Sequence, residues 1–191
     1  YNPSKNSLKL PQLIALKASA DATLADVITK NTNYNNKVNE RITAFSGLKS
    51  LSTRLVNALQ TTDATTETIG NAKTFNRKMQ GKKASSSQTP TDPNTPAPNT
   101  ISTSQQSYDQ LIQHLAGLTS ILEAETSYTP NETDLQVATL QTKIADLTAK
   151  NTAVATAYAS ISNSRIARNE TLYSSSTGLV ETANEVKKYI K

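Results

Sequence analysis

The sequence predicts an all-α fold, an elongated antiparallel helical bundle with two long helices and an internal duplication. Two apolar seams step by three and four residues, which is typical of packed helices. The octet ADVITKNT at 25–32 returns as ADLTAKNT at 145–152. Ser, Thr and Asn make up 65 of the 191 residues, and they are mediocre helix formers. Such helices need packing, so we expect narrow apolar seams.

The first long helix is predicted over about 11–60, with Gly47 as a candidate bend. Its seam is unusual in containing polar residues. The seam positions are Leu24, Val27, Asn31, Tyr34, Val38, Arg41, Phe45, Leu48, Ser52, Leu55 and Leu59. Because Arg41 carries a charge, we expect it to reach outward or to meet a carboxylate such as Glu40.

A shorter helix is predicted over about 65–80, where four apolar residues share a face and Gly81 provides a stop. These four residues are Ile69, Ala72, Phe75 and Met79. The segment 84–103 holds four prolines and a single large apolar residue, which indicates a flexible linker. A third helix is predicted over about 104–126.

The fourth helix is predicted over about 130–173, and its start has a strong local pattern. Thr129 suits the N-cap, Pro130 the first helical position, and Glu132 the third position of a capping box. Its seam runs through Leu140, Ile144, Leu147, Asn151, Val154, Tyr158, Ile161, Arg165, Arg168 and Leu172. A short fifth helix carries Leu179, Val180, Ala183, Val186 and Ile190.

The repeated octet belongs to a wider similarity. The segment 1–13 shares a Tyr, a Pro and two Leu with 128–140, and the apolar faces of the second and fifth helices also match. The predicted organisation is therefore a first helical repeat at 1–83, a linker at 84–103, and a third helix with the second repeat at 104–191. Asn31 and Asn151 occupy equivalent seam positions. We expect them to specify helix register, with a ligand site as the alternative.

Groups that support catalysis are scarce. The chain has no cysteine and one histidine, His114, and it lacks a nucleophile elbow, a phosphate-binding loop and a Glu-x-x-His pair. We interpret His114 as a surface or edge residue of the third helix, with a general base or axial ligand as the alternative. The sequence therefore predicts a non-enzymatic protein with no catalytic residue, cofactor or metal.

Lysine and arginine gather at the ends of two helices. The first cluster is Lys73, Arg77, Lys78, Lys82 and Lys83, and the second is Lys187, Lys188 and Lys191. Either cluster can complement the negative end of a helix dipole, or together they can form a patch for nucleic acid or another anionic surface. Their similar positions in the two repeats favour the structural interpretation.

No apolar run is long enough to span a bilayer, and no signal-peptide core is visible. The first residue is Tyr, so we expect a processed or incompletely represented gene product. These features predict a soluble protein and leave export or a cell-surface location open.

The phrases YTPNETDLQVATLQTKIADL, SRIARNETLY and VKKYIK resemble a group of uncharacterised bacterial helical proteins. The resemblance covers most of 104–191 and, less closely, 42–83. It implies a helical bundle of bacterial origin, brings no activity, and suggests that a tail follows the final Lys-Tyr-Ile-Lys. The leading expectation is a structural or protein-interaction bundle that binds a protein partner or itself. Anionic-surface binding and a carrier with a pocket between helices are the alternatives.

Overall fold

The computed structural model describes residues 1–81 and 106–191. Within these ranges the chain is helical and has no strand, so the predicted all-α class is confirmed. The α-helices are α1 Leu10–Phe45, α2 Leu48–Leu59, α3 Thr66–Gln80, α4 Tyr108–Ala124, α5 Val137–Tyr173 and α6 Leu179–Ile190, and the 3-10 helices are η1 Asn6–Leu8 and η2 Thr133–Leu135. None of the described helices is long and apolar enough to cross a membrane.

The described residues form two compact units. Unit 1 consists of 1–40 and 152–191, and unit 2 consists of 41–151. The long helices α1 and α5 contribute to both units, so each unit draws on both predicted repeats. The predicted linker 84–103 and the domain boundaries beside it lie outside the described residues, and that organisation stays a prediction.

Unit 2 contains a continuous hydrophobic core. Its α3 packs against both α2 and α4, and 14 buried residues from unit 2 form the main cluster. Hydrogen bonds link the start of α2 to the end of α3: Gln80 Nε2 donates to the Lys49 carbonyl at 2.7 Å, and Ser52 Oγ donates to Asn76 Oδ1 at 2.8 Å. These two contacts show that α2 and α3 are antiparallel.

The predicted helix over about 11–60 divides into α1 and α2 at Gly47. This residue has φ +80°, a left-handed conformation that L side chains rarely adopt, so the α1 hydrogen-bond pattern ends there. The seam residues that follow are buried, including Leu48, Leu55 and Leu59. Leu24, nearer the start of the same seam, is 42% exposed. Burial of the seam therefore increases along the helix.

The third helix is shorter than predicted, whereas the second agrees closely. Ser107 caps α4, because its Oγ accepts a hydrogen bond from the Gln110 amide. The predicted second helix corresponds to α3, with Thr65 as N-cap and Gly81 as a left-handed C-cap at φ +71°. The stop at Gly81 is therefore confirmed.

The predicted capping box at Thr129 is wrong. Helix α5 begins at Val137, after the 3-10 turn η2, and Glu132 lies in extended backbone just before that turn. The segment is held instead by Tyr128, whose hydroxyl donates to the Leu135 carbonyl at 3.0 Å. Because Tyr128 and Leu135 are both buried, this tertiary contact overrides the local capping pattern.

The first residues of the chain adopt the same local structure. Tyr1 donates to the Leu8 carbonyl at 2.7 Å, η1 precedes α1, and Leu8 is buried as Leu135 is. In both segments the Tyr lies seven residues before its acceptor. The internal duplication stays a prediction, and this shared structure supports it.

In unit 1, α6 packs against η1. Lys5 Nζ lies 2.6 Å from Glu185 Oε1, and the rings of Tyr1 and Tyr189 meet edge to face at 5.2 Å. The predicted apolar face of α6 is only partly covered. Leu179 and Val186 are half-buried, and Val180, Ala183 and Ile190 are exposed.

Candidate interaction site

Exposed apolar side chains are concentrated in unit 1. Of the 12 large apolar residues that are exposed in the described part of the chain, 11 belong to unit 1 and only Ile42 belongs to unit 2. The 11 are Tyr1, Leu10, Ile14, Leu24, Ile28, Tyr158, Ile166, Tyr173, Val180, Tyr189 and Ile190. Scattered exposed apolar residues are normal, but here nearly all of those in the described residues are concentrated in one unit. We call this set the unit 1 apolar surface.

Unit 1 also carries most of the excess positive charge. Its sequence contains ten Lys or Arg against six Asp or Glu, a net charge of +4 out of the +5 of the whole chain. Lys187, Lys188 and Lys191 are exposed at the end of α6, and the first two lie in its last turn. That position complements the helix dipole and also leaves the three ammonium groups accessible to an anion.

The other basic cluster lies in unit 2, at the end of α3. Lys73, Arg77 and Lys78 are exposed; Arg77 Nη2 donates to Thr74 Oγ1 at 3.0 Å, and Lys78 Nζ lies 5.5 Å from the Phe75 ring centre. Lys82 and Lys83 lie outside the described residues. Arg77 and Lys78 occupy the last turn of α3, as the helix-dipole interpretation expects.

Asn151 connects three helices of unit 2. Its Oδ1 accepts from Arg41 Nη1 at 3.0 Å, and its Nδ2 donates to Asp109 Oδ1 at 2.7 Å. The Arg41 guanidinium also stacks on the Tyr108 ring, with Cζ 4.0 Å from the ring centre. Arg41 therefore turns toward Tyr108 and Asn151, two partners that the sequence did not predict.

Asn31, the predicted counterpart of Asn151, lies in unit 1 and is half-buried. No hydrogen bond of its side chain is found within the described residues. A contact between α1 and α5 through Asn151 is what a register-specifying residue requires. The register role of both residues stays a prediction. The described contacts support it for Asn151 and not for Asn31.

His114 is buried, so its interpretation as a surface or edge histidine is wrong. Its ring faces Phe75 of α3 with 6.3 Å between ring centres, and its buried Nε2 has no hydrogen-bond partner among the described residues. Burial lowers the pKa of His114, and the charge of Lys78 lowers it further. The apolar spacing of α4 did not reveal this, because α3 covers the position only in the folded protein.

An open groove of about 490 Å³ lies in unit 2 between the start of α2 and the start of α5. Arg54 and Asp134 line it and form an ion pair at 2.5 Å, which lowers the pKa of Asp134. Lys143 and Asp146 also line the groove, so its charges balance. Groups of three or more potential metal ligands are absent from the described ranges.

Comparison with known proteins gives no match: no protein-family model, curated protein or solved structure is similar to this chain. The predicted resemblance to bacterial helical proteins stays a prediction. The distribution of apolar and charged side chains therefore provides the basis for a functional proposal.

Proposed function

We propose that this chain is a non-enzymatic protein-interaction element in which unit 1 provides the binding surface. The observation that carries the proposal is the location of 11 of the 12 exposed large apolar residues of the described chain in unit 1. Burying apolar surface is the main driving force of most protein association. An exposed side chain such as Ile28, at 69%, gains most when a partner covers it.

The two units differ in how they bury apolar residues, and this difference supports the assignment of the binding surface to unit 1. All 14 residues of the main hydrophobic cluster belong to unit 2, where α3 and α4 cover α2. The buried apolar residues of unit 1 are Leu8, Ala20, Val154, Ala157 and Ile161, two of them alanines. Unit 2 therefore buries its apolar residues within itself, whereas unit 1 has apolar side chains left for a partner.

Site-specific photo-crosslinking in the source organism tests the proposal. Benzoyl-phenylalanine replaces Ile28 or Ile166 of the unit 1 apolar surface, and the matched control replaces Ile42, which is 53% exposed in unit 2. We expect protein adducts heavier than the 20.6 kDa chain at positions 28 and 166 and few at 42. Mass spectrometry identifies the attached polypeptide. Equal yields at all three positions, or no adduct, would contradict the proposal.

A second candidate function is binding to nucleic acid or another anionic surface, and the net charge of +4 on unit 1 favours it. Lys187, Lys188 and Lys191 are all exposed and would form the contacts. Because such binding releases counterions, its affinity should fall steeply as salt is raised from about 50 to 200 mM. Fluorescence anisotropy with a labelled 20-nucleotide DNA duplex checks this, and replacing the three lysines by glutamine should abolish the signal.

A further inference from the structure

Helix α6 packs on one side only. Thr182 is buried, Glu185 pairs with Lys5, and the Tyr189 ring meets the Tyr1 ring. At about 100° per residue, these three α6 residues lie within about 60° of one another around the helix axis. Every other residue of α6 is half-buried or exposed, so most of the helix circumference is accessible to another molecule.

The accessible side of α6 carries both apolar and basic residues. Val180, Ala183 and Ile190 lie within about 80° of one another around the axis. All three are exposed, Val180 by 48% and Ile190 by 68%. Lys187 lies in the same sector and Lys191 at its edge, and both are exposed. We call these five residues the open face of α6.

The lysines at the end of α6 have no acidic partner within the described residues. None of Lys187, Lys188 and Lys191 belongs to an ion pair there. Of the two carboxylates of α6, Glu185 pairs with Lys5, and Glu181 lies in the first turn, about 9 Å along the axis from the nearest of these lysines. The three ammonium groups are therefore available to an anionic partner.

We propose that α6 lies on the surface of an anionic lipid bilayer with its open face toward the lipid, an inference that rests on the second candidate function and names its partner. Val180, Ala183 and Ile190 then enter the boundary between the headgroups and the acyl chains. The apolar stems of Lys187 and Lys191 lie beside them, and their ammonium groups reach back to the headgroups.

The mixed character of the open face favours a lipid surface over nucleic acid. The phosphates of a nucleic acid pair with lysines but leave an apolar side chain such as Ile190 in water. An anionic bilayer surface accepts both kinds of side chain, because charged headgroups lie directly above acyl chains. The net charge of +4 on unit 1 adds to the attraction.

Binding should require anionic lipid and should weaken as the salt concentration rises. The open face has only three apolar residues on a 12-residue helix, so apolar insertion alone is weak. Attraction between the lysines and the negative surface has to contribute, and it acts only within about a Debye length, roughly 10 Å at 0.1 M salt.

Vesicle flotation with the whole purified chain tests the role of charge. We expect at least tenfold more binding to vesicles of about 30% phosphatidylserine in phosphatidylcholine than to pure phosphatidylcholine. The triple variant K187Q, K188Q and K191Q should lose at least tenfold in affinity. The matched control, K73Q with R77Q and K78Q, removes three exposed charges from unit 2 and should bind as the parent does. Circular dichroism checks that both variants stay folded.

Tryptophan fluorescence tests the apolar contact, because the chain has no tryptophan of its own. The emission of I190W should shift to shorter wavelength when phosphatidylserine vesicles are added, and brominated acyl chains should quench it. I42W is the matched control, since Ile42 is 53% exposed in unit 2, and its emission should not change.

Three results would overturn the inference: equal binding to vesicles with and without phosphatidylserine, equal loss in the two triple variants, or unchanged emission at position 190. If the parent binds the labelled DNA duplex but not the vesicles, the inference fails and the second candidate function stands. If it binds neither, both fail. The protein-interaction proposal is decided separately, by photo-crosslinking at Ile28 and Ile166.

Discussion

Polar side chains in unit 2 differ in how well they are paired. Asn151 joins Arg41 and Asp109 through hydrogen bonds of 3.0 and 2.7 Å, whereas Nε2 of His114 has no partner within the described chain. A buried polar atom without a partner costs about 1–3 kcal/mol of unfolding free energy. His114 is therefore a position where substitution can stabilise the protein.

His114 should make stability depend on pH. Burial first, and Lys78 second, lower its pKa below the ordinary value of 6.5 in the folded protein. The unfolded chain then binds the proton at a higher pH than the folded chain does. The unfolding free energy should therefore fall as the pH drops below about 6.5. Above that value, His114 should not make the unfolding free energy depend on pH.

Urea unfolding followed by circular dichroism, from pH 5 to pH 8, measures this effect. Carboxylates also titrate at the acidic end, so the parent is compared with H114L at each pH. H114L should be more stable than the parent, and its advantage should grow toward pH 5. An advantage that is independent of pH would contradict the predicted titration of His114.

At the scale of elements, the same short segment precedes both long helices. A Tyr hydroxyl donates to the carbonyl of a buried Leu seven residues later, and a 3-10 turn leads into the helix. The two segments differ in the burial of their Tyr: Tyr128 is 6% exposed, whereas Tyr1 is 59% exposed. Burial raises the pKa of Tyr128 to about 12, so its hydroxyl stays protonated and able to donate over the physiological range.

Replacing each Tyr by Phe tests how burial changes the contribution of this hydrogen bond to the unfolding free energy. We expect Y128F to lower the unfolding free energy by about 1 kcal/mol, because the buried Leu135 carbonyl loses its donor. Y1F should cost clearly less, because water can replace the Tyr1 hydroxyl near the surface. Chemical denaturation of both variants provides the measurement, and equal losses would show that the two segments are held equally tightly.

At the scale of the whole molecule, the two units differ in how they bury apolar residues. The main cluster lies entirely in unit 2, and nearly all exposed large apolar side chains of the described residues lie in unit 1. Local stability generally follows buried apolar contacts, so the two units should open with different free energies.

Hydrogen exchange followed by mass spectrometry should resolve this difference. Amides of α2 and α4 should exchange more slowly than those of α6. The reason is that α2 and α4 contribute to the main cluster, whereas α6 packs mainly against η1. Protection of α6 equal to that of α2 would contradict the predicted ranking.

Periodic patterns alone determined the helical class and most helix positions. The apolar steps of three and four residues predicted five helices, which correspond to the six α-helices because the first divides at Gly47. Such spacing is informative because it reflects the helical repeat directly. Thr65 and Gly81 mark the limits of α3 through local hydrogen bonds and backbone conformation. The capping pattern at Thr129 failed because the competing interaction, between Tyr128 and Leu135, depends on burial against other helices.

The sequence by itself determined that this protein is helical, has two similar segments and lacks cysteine. Only the tertiary structure decided which stretch of each apolar seam is covered, that Arg41 turns toward Tyr108 and Asn151, and that His114 is buried. It also decided that Val56 is 3% exposed and Val180 is 48% exposed, although both are apolar residues of helices. The physical reason is that local spacing determines which side chains share a helix face, whereas burial depends on which other helices pack against that face.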